Sequence, residues 1–176
     1  MQEDYAELKE TSFCRSMPAE IIAKLAEIAV RTTLAAGKML FDEGDRHEQV
    51  YLVLKGRIVL DVFIRGRDRV ELVTVGDGEI LGWSPLISNQ PMTVRARAVT
   101  DCSLLVFSAQ ELLKTCEQDY RFGYYFMKQL TISFTKRLNA TRLQMLDVFA
   151  DIDGQRKMAN MSSTGQTPQA GTADDD

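Results

Sequence analysis

Between residues 31 and 107 the chain is cut into short segments of β-branched and aromatic residues, with a glycine near almost every cut. Seven of the eleven glycines in this 176-residue chain fall between Gly37 and Gly82. Strands this short, turned this often by glycine, predict a barrel or a sandwich. Met39-Leu40-Phe41 runs into Asp42-Glu43-Gly44-Asp45, and Val50-Tyr51-Leu52-Val53-Leu54 runs into Lys55-Gly56. Ile58, Leu60 and Val62 then alternate with Val59, Asp61 and Phe63, which is the period of a pleated strand. Arg65-Gly66-Arg67-Asp68 reads as a hairpin turn, and the return strand alternates Val70, Leu72 and Thr74 with Glu71, Val73 and Val75. Gly76-Asp77-Gly78 ends it, and Val94–Ala98 and Ser103–Phe107 are the last strands.

Helical spacing flanks this region. Tyr5, Leu8 and Phe13 form an apolar stripe for a short leading helix. Ser16, ahead of Met17-Pro18-Ala19-Glu20, is the expected cap of a second helix carrying Ile21, Ile22, Leu25, Ile28 and Ala29 at helical spacing. Ser108 and Glu111 match a capping box before Leu112, Leu113 and Cys116. From Asp119 to Ala150 there is no proline, and the only glycine is Gly123. Met127, Leu130, Phe134 and Leu138, continued by Met145 and Phe149, predict one helix of about 30 residues, about 45 Å long. Such a helix outruns a small barrel, and a second copy of itself is the simplest partner for its far end. From Gly154 to Asp176 there is no Val, Ile, Leu or aromatic residue, so a disordered polar tail is expected, with no helix-turn-helix after the long helix. The expected organisation is an N-terminal extension at 1–10, one domain at 11–150 and a tail at 151–176.

Composition removes several function classes. The formal charge is −4 and the sequence pI about 5.1, which disfavours direct nucleic-acid binding by a broad basic surface. No apolar run reaches the roughly 20 residues that span a bilayer, and the acidic start Met1-Gln2-Glu3-Asp4-Tyr5 has no apolar region of a secretory signal behind it. Cys14, Cys102 and Cys116 are odd in number, widely spaced and without metal-ligand spacing, which fits reduced thiols in a cytoplasm. The single histidine, His47, cannot furnish the cluster that a jelly-roll metalloenzyme needs, and its polar surroundings suggest a solvated loop. No nucleophile–base pair, paired carboxylates or metal cluster is legible, so an enzyme is not expected.

One stretch stands out as a candidate site. Gly78-Glu79-Ile80-Leu81-Gly82-Trp83-Ser84-Pro85-Leu86 reads as a turn, a short apolar strand, a glycine and one helical turn, with Ser84 at its cap and Pro85 at its first position. Thr93-Val94-Arg95-Ala96-Arg97-Ala98 follows after a short loop. A helix start beside a glycine turn collects unpaired N–H groups and suits an anion, against which stands the plain reading of a surface turn.

The order helix, small barrel, short helix, long helix, with the runs Gly37–Asp45, Tyr51–Arg57 and Gly76–Ala98, resembles the cyclic nucleotide-binding domain. Over roughly residues 11–150 it resembles the effector domain of the catabolite activator protein and fumarate–nitrate regulator family. The resemblance implies a mainly β fold with flanking helices: a β-roll (jelly roll) followed by a long C-terminal dimerisation helix near 119–150. It also implies that the stretch above is a phosphate-binding cassette. In that family a glutamate of the cassette takes the ribose hydroxyl and an arginine after the loop pairs with the cyclic phosphate. Here Gly82 fits the family glycine and Thr93 the Ser/Thr position, but Trp83 stands at the glutamate and Met92 at the arginine. Glu79 precedes the strand and is not that glutamate.

Methionine cannot provide the bidentate charge that arginine gives a phosphate. Arg95 and Arg97 share a strand face with Thr93 by period two and are candidate substitutes, a solvated face being the alternative. Thr141 and Arg142 match positions on the family's long helix that face the base. The candidate ligand-binding residues are thus Leu81, Gly82, Trp83, Ser84, Thr93, Arg95, Arg97, Thr141 and Arg142. The expected function is a cytoplasmic sensor module that binds cyclic AMP, cyclic GMP or a different anionic effector. It signals through a homodimerising helix, acting on a separate regulatory protein partner. The alternative is a ligand-free dimerisation scaffold with the pocket collapsed over Trp83 and Met92.

Overall fold

The computed structural model of the chain describes residues 2–66, 68–88 and 90–163, with side chains as far as Gln144. Helices α1 (Gln2–Glu10) and α2 (Ala19–Glu27) lead into strands β1 (Val30–Leu34), β2 (Met39–Phe41), β3 (Gln49–Lys55), β4 (Ile58–Val62), β5 (Val70–Val75) and β6 (Ile80–Leu81). A one-turn helix α3 (Ser84–Ile87) separates β6 from β7 (Arg95–Ala98) and β8 (Cys102–Ser108), and α4 (Ala109–Gln118) and α5 (Tyr120–Ser163) complete the order. The strands form two antiparallel four-stranded sheets, ordered β1-β8-β3-β6 and β2-β7-β4-β5. This is the expected β-roll with flanking helices and a long C-terminal helix.

Alternation along the central strands sorts the apolar residues into two cores. Val50, Leu52, Ile80, Leu105 and Phe107 face a helix-side core with Leu8, Ile21, Leu25, Phe122 and Phe126. Tyr51, Val53, Leu81 and Leu104 face the interior of the roll with Phe41, Ile58, Leu60, Met92, Ala96 and Ala98. That is why the middle of β3 reads as an unbroken apolar run: both of its faces are covered.

Several local expectations shift. Phe13 lies beyond the end of α1, yet it is buried and meets Phe126 edge-on at 5.8 Å. Within the segment set apart as an extension at 1–10, residues 2–10 form α1, which places Leu8 fully inside the helix-side core. Ser16 does not cap α2. Pro18 holds the cap position, and its carbonyl accepts from the N–H groups of Ile21 and Ile22. Ser108 does cap α4, its Oγ accepting from the Glu111 N–H at 3.4 Å.

Helix α5 runs 44 residues, through Gly154, where composition suggested the chain would cease to fold. Leu138 is 69% exposed, so the apolar stripe leaves the core after Phe134. The side chains of Met145 and Phe149, the end of the tail at 164–176, and Arg67 in the β4–β5 turn lie outside the described residues. The chain divides into two compact units, one ending at Arg137 and one beginning at Leu138. Among the described residues no helix is long and apolar enough to cross a membrane.

Gly56 closes the β3–β4 turn at φ 111°, and a Cβ there would sit 2.6 Å from Cys102 Sγ and 2.7 Å from the Asp101 carbonyl oxygen. Gly44, at φ 86°, has open space around it. Urea denaturation is expected to show a loss of about 1 kcal/mol for Gly44→Ala, from the left-handed backbone alone, and about 2–4 kcal/mol for Gly56→Ala, where a backbone clash is added.

Candidate functional site

The candidate cassette begins on β6, which pairs with β3 through Tyr51↔Leu81 and Leu52↔Ile80. Gly82 then turns the chain at φ 76°. A Cβ on Gly82 would lie 3.1 Å from the Gln49 carbonyl oxygen and 3.2 Å from the Tyr51 ring, so conformation and crowding both select glycine. Trp83, rather than Ser84, occupies the cap position of α3, its carbonyl accepting from the Leu86 N–H at 2.9 Å. Pro85 fits the first turn, where no N–H is needed. Glu79 accepts from the Gly76 N–H at 2.8 Å and so braces the preceding turn, outside the cassette.

The interior side of the cassette is apolar. Leu81 is fully buried, and Met92 is 5% exposed in the same core. The Met92 backbone is clipped to the 42–45 loop, its N–H donating to the Asp45 carbonyl at 2.9 Å and its carbonyl accepting from the Gly44 N–H at 2.8 Å. A thioether therefore fills the interior where the resemblance calls for a guanidinium.

Next to it, His47 is not the solvated loop residue expected from its neighbours. It is half-buried and stacks on Tyr51 at 5.3 Å, with Nε2 2.6 Å from the Tyr51 hydroxyl. That hydroxyl donates to Gln49 Oε1 at 2.9 Å, so the His47 Nε2–H is the donor of the pair. Burial pulls the His47 pKa down against the pull of Asp45, and burial pushes Tyr51 up to about 12.

The basic candidates lie elsewhere. Ala96 and Ala98 point into the roll, so alternation carries Arg95 and Arg97 to the opposite face of β7. Arg95 grips Asp61 bidentately, Nε to Oδ1 at 3.0 Å and Nη2 to Oδ2 at 2.8 Å. Arg69 joins the same carboxylate at 3.0 Å and reaches Glu43 at 3.2 Å and Asp42 at 3.3 Å. Arg97 pairs with Glu71 at 3.7 Å. Burial of Asp61 acts to raise its pKa, but the hydrogen bonds from Arg95 and Arg69 outweigh it and hold the carboxyl below its ordinary value. Thr93 is exposed.

Trp83 faces the helix-side core rather than the roll interior. Its ring meets Phe134 of α5 edge-on at 4.5 Å, and the Arg137 guanidinium lies 4.2 Å over its centroid. Arg137 Nη2 also donates to the Ile80 carbonyl at 3.1 Å. Burial pulls the Arg137 pKa down to about 10, with Glu79 opposing.

The structure therefore brings Leu81, Gly82, Trp83 and Ser84 together as one turn, and separates them from Arg95 and Arg97. Thr141, half-buried, and Arg142, exposed, are α5 residues of the second unit. Sequence reasoning missed Asp61, Arg69, Tyr51, Phe134 and Arg137. A lone acid within the run Ile58-Val59-Leu60-Asp61-Val62 was the available signal, because a carboxylate on a covered strand needs a cationic partner.

A family model described as the cyclic nucleotide-binding domain matches residues 31–119, just over half of the chain. Patatin-like phospholipase domain-containing protein 6 of Mus musculus is 36% identical over 74 residues, 42% of this chain. The chain spans only 5% of the length of that relative. A cyclic nucleotide-binding domain from Methylobacillus flagellatus superimposes with a TM-score of 0.73 at 18% identity, covering 83% of this chain and 82% of that one. Thermus thermophilus catabolite activator protein superimposes with a TM-score of 0.65 at 23% identity, covering 78% of this chain and 62% of that one. At these identities the two structures speak to the fold alone.

Asp61→Asn is expected to lower stability by about 2–3 kcal/mol at neutral pH, since Arg95 and Arg69 lose their shared buried counter-charge. Because the folded pKa of Asp61 lies below the unfolded one, its contribution is complete above the unfolded carboxylate value and is lost as pH falls through the folded one. Denaturation of the Asn variant across acidic pH should accordingly show a shallower loss than the native chain.

Proposed function

Because the chain belongs to the cyclic nucleotide-binding domain family, we propose that it is a non-catalytic regulatory module that senses a small effector at the Leu81–Leu86 cassette and signals through α5. The observation that carries this reading is the direct packing of the cassette on the long helix, Trp83 against Phe134 and Arg137. On this reading α5 supports a homodimer, as its exposed Leu138 and Leu143 suggest, and a separate regulatory protein receives the signal. Free Cys14, Cys102 and Cys116 fit a cytoplasmic setting.

The effector is the altered part. With Met92 buried in the roll and with Arg95 and Arg97 engaged by Asp61 and Glu71, a cyclic phosphate would enter without its usual guanidinium partner. An unpaired buried anion costs several kcal/mol, so a different effector is favoured over cyclic AMP or cyclic GMP. The second reading, a ligand-free dimerisation scaffold, draws on the same filled position at Met92.

Trp83 is the chain's only tryptophan, so its emission reports the cassette directly. Millimolar cyclic AMP or cyclic GMP is expected to leave both Trp83 emission and Tm unchanged, whereas saturation at 100 times Kd would add about 2.7 kcal/mol and move Tm by several degrees. Native mass spectrometry of freshly purified protein is expected to show a small adduct on the 19.8 kDa chain. A bare mass, with a silent response to a panel of neutral and anionic metabolites, would sink the sensor in favour of the scaffold.

A further inference from the structure

Gly82 is the pliable point of the cassette, a left-handed glycine between a two-residue strand and a one-turn helix. Arg137 touches the chain on both sides of it. The guanidinium hydrogen-bonds the Ile80 carbonyl, two residues before Gly82, at 3.1 Å. It also lies 4.2 Å over the ring of Trp83, the residue after Gly82. Phe134, one turn earlier on α5, meets the same indole at 4.5 Å. A planar guanidinium can stack on an indole while an edge N–H donates in plane, which an ammonium cannot do.

We propose that Arg137 is a positioning latch that spans Gly82 and makes the cassette turn and α5 move as one body. A displacement of Gly82 toward or away from Tyr51 and Gln49, which leave no room for a Cβ there, must then either carry α5 at Phe134–Arg137 with it or break these Arg137 contacts. The indole is thereby spent on the helix side, leaving no side chain of residue 83 to meet a ribose or base in the roll. This inference takes its meaning from the cassette being the effector site, but its physical content is a property of the ligand-free chain. The low Arg137 pKa agrees with it: the buried guanidinium is held at an electrostatic cost, so its removal need not reduce global stability.

The test is amide hydrogen exchange and Trp83 quenching by acrylamide on the full-length, ligand-free chain, native against Arg137→Met. The thioether keeps most of the packing volume and loses both contacts. The expected result is at least about fivefold faster exchange in residues 80–86 and in 130–137 together, easier quenching of Trp83, and native protection in β1 and β8. Exchange within about twofold of native in both segments, or loosening of one segment without the other, would overturn the latch. Arg137→Lys keeps the charge without the fork, and it is expected to loosen both segments as the Met variant does; native exchange in Arg137→Lys would equally overturn it. Should the Met variant fail to fold, the Lys variant carries the same comparison. No ligand enters the assay. A chain that binds no effector can therefore still show the latch, and a chain that binds one can lack it.

Discussion

Strand β3 is constrained in every direction. Val50 and Leu52 sit in the helix-side core while Tyr51 and Val53 sit in the roll interior, and all four are buried to 4% exposure or less. Along its edges β3 pairs with β8 through Gln49–Lys55 and with β6 through Tyr51 and Leu52. The candidate cassette is the direct continuation of β6, and the Gln49 carbonyl and the Tyr51 ring leave no room for a side chain at Gly82. Burial of about 25 cal/mol per Å² on both faces of one strand thus fixes where the cassette can be.

The electrostatics follow from the same alternation. A strand whose even residues enter the roll must present its odd residues outward, so Ala96 and Ala98 take the interior and Arg95 and Arg97 take the outer face. On that face Asp61, directly across from Arg95 in the ladder, is nearly inaccessible and is satisfied by Arg95 and Arg69 together. Both arginines of β7 are thus held in ion pairs, Arg95 with Asp61 and Arg97 with Glu71. Met92, where the resemblance expects an arginine, lies in the roll interior and is anchored through its own backbone to the 42–45 loop.

What distinguishes this cassette is its attachment. Trp83, at the position where the resemblance expects a glutamate, packs on Phe134 and Arg137. Arg137 meets this turn through a cation–π contact and a hydrogen bond whose geometry suits arginine.

Much of the fold was legible in one dimension. Glycine-punctuated strands, the 58–75 hairpin, the Ser108 cap and the one turn at Ser84-Pro85 all depend on contacts within a few residues, and each stands where the spacing placed it. The turn at Gly82 and Pro85 was legible for the same reason, since both residues are demanded by local backbone geometry. Only the tertiary structure decided which way the side chains of that region point. Period two relates Thr93, Arg95 and Arg97 to one another but does not say which side of β7 faces the roll, and Asp61 settles that by lying 34 residues away in sequence and next door in the sheet. Trp83 is likewise compatible with either side of its turn. Its partners, Phe134 and Arg137, come from the other end of the chain, so no local pattern could have shown that the tryptophan belongs to the helix.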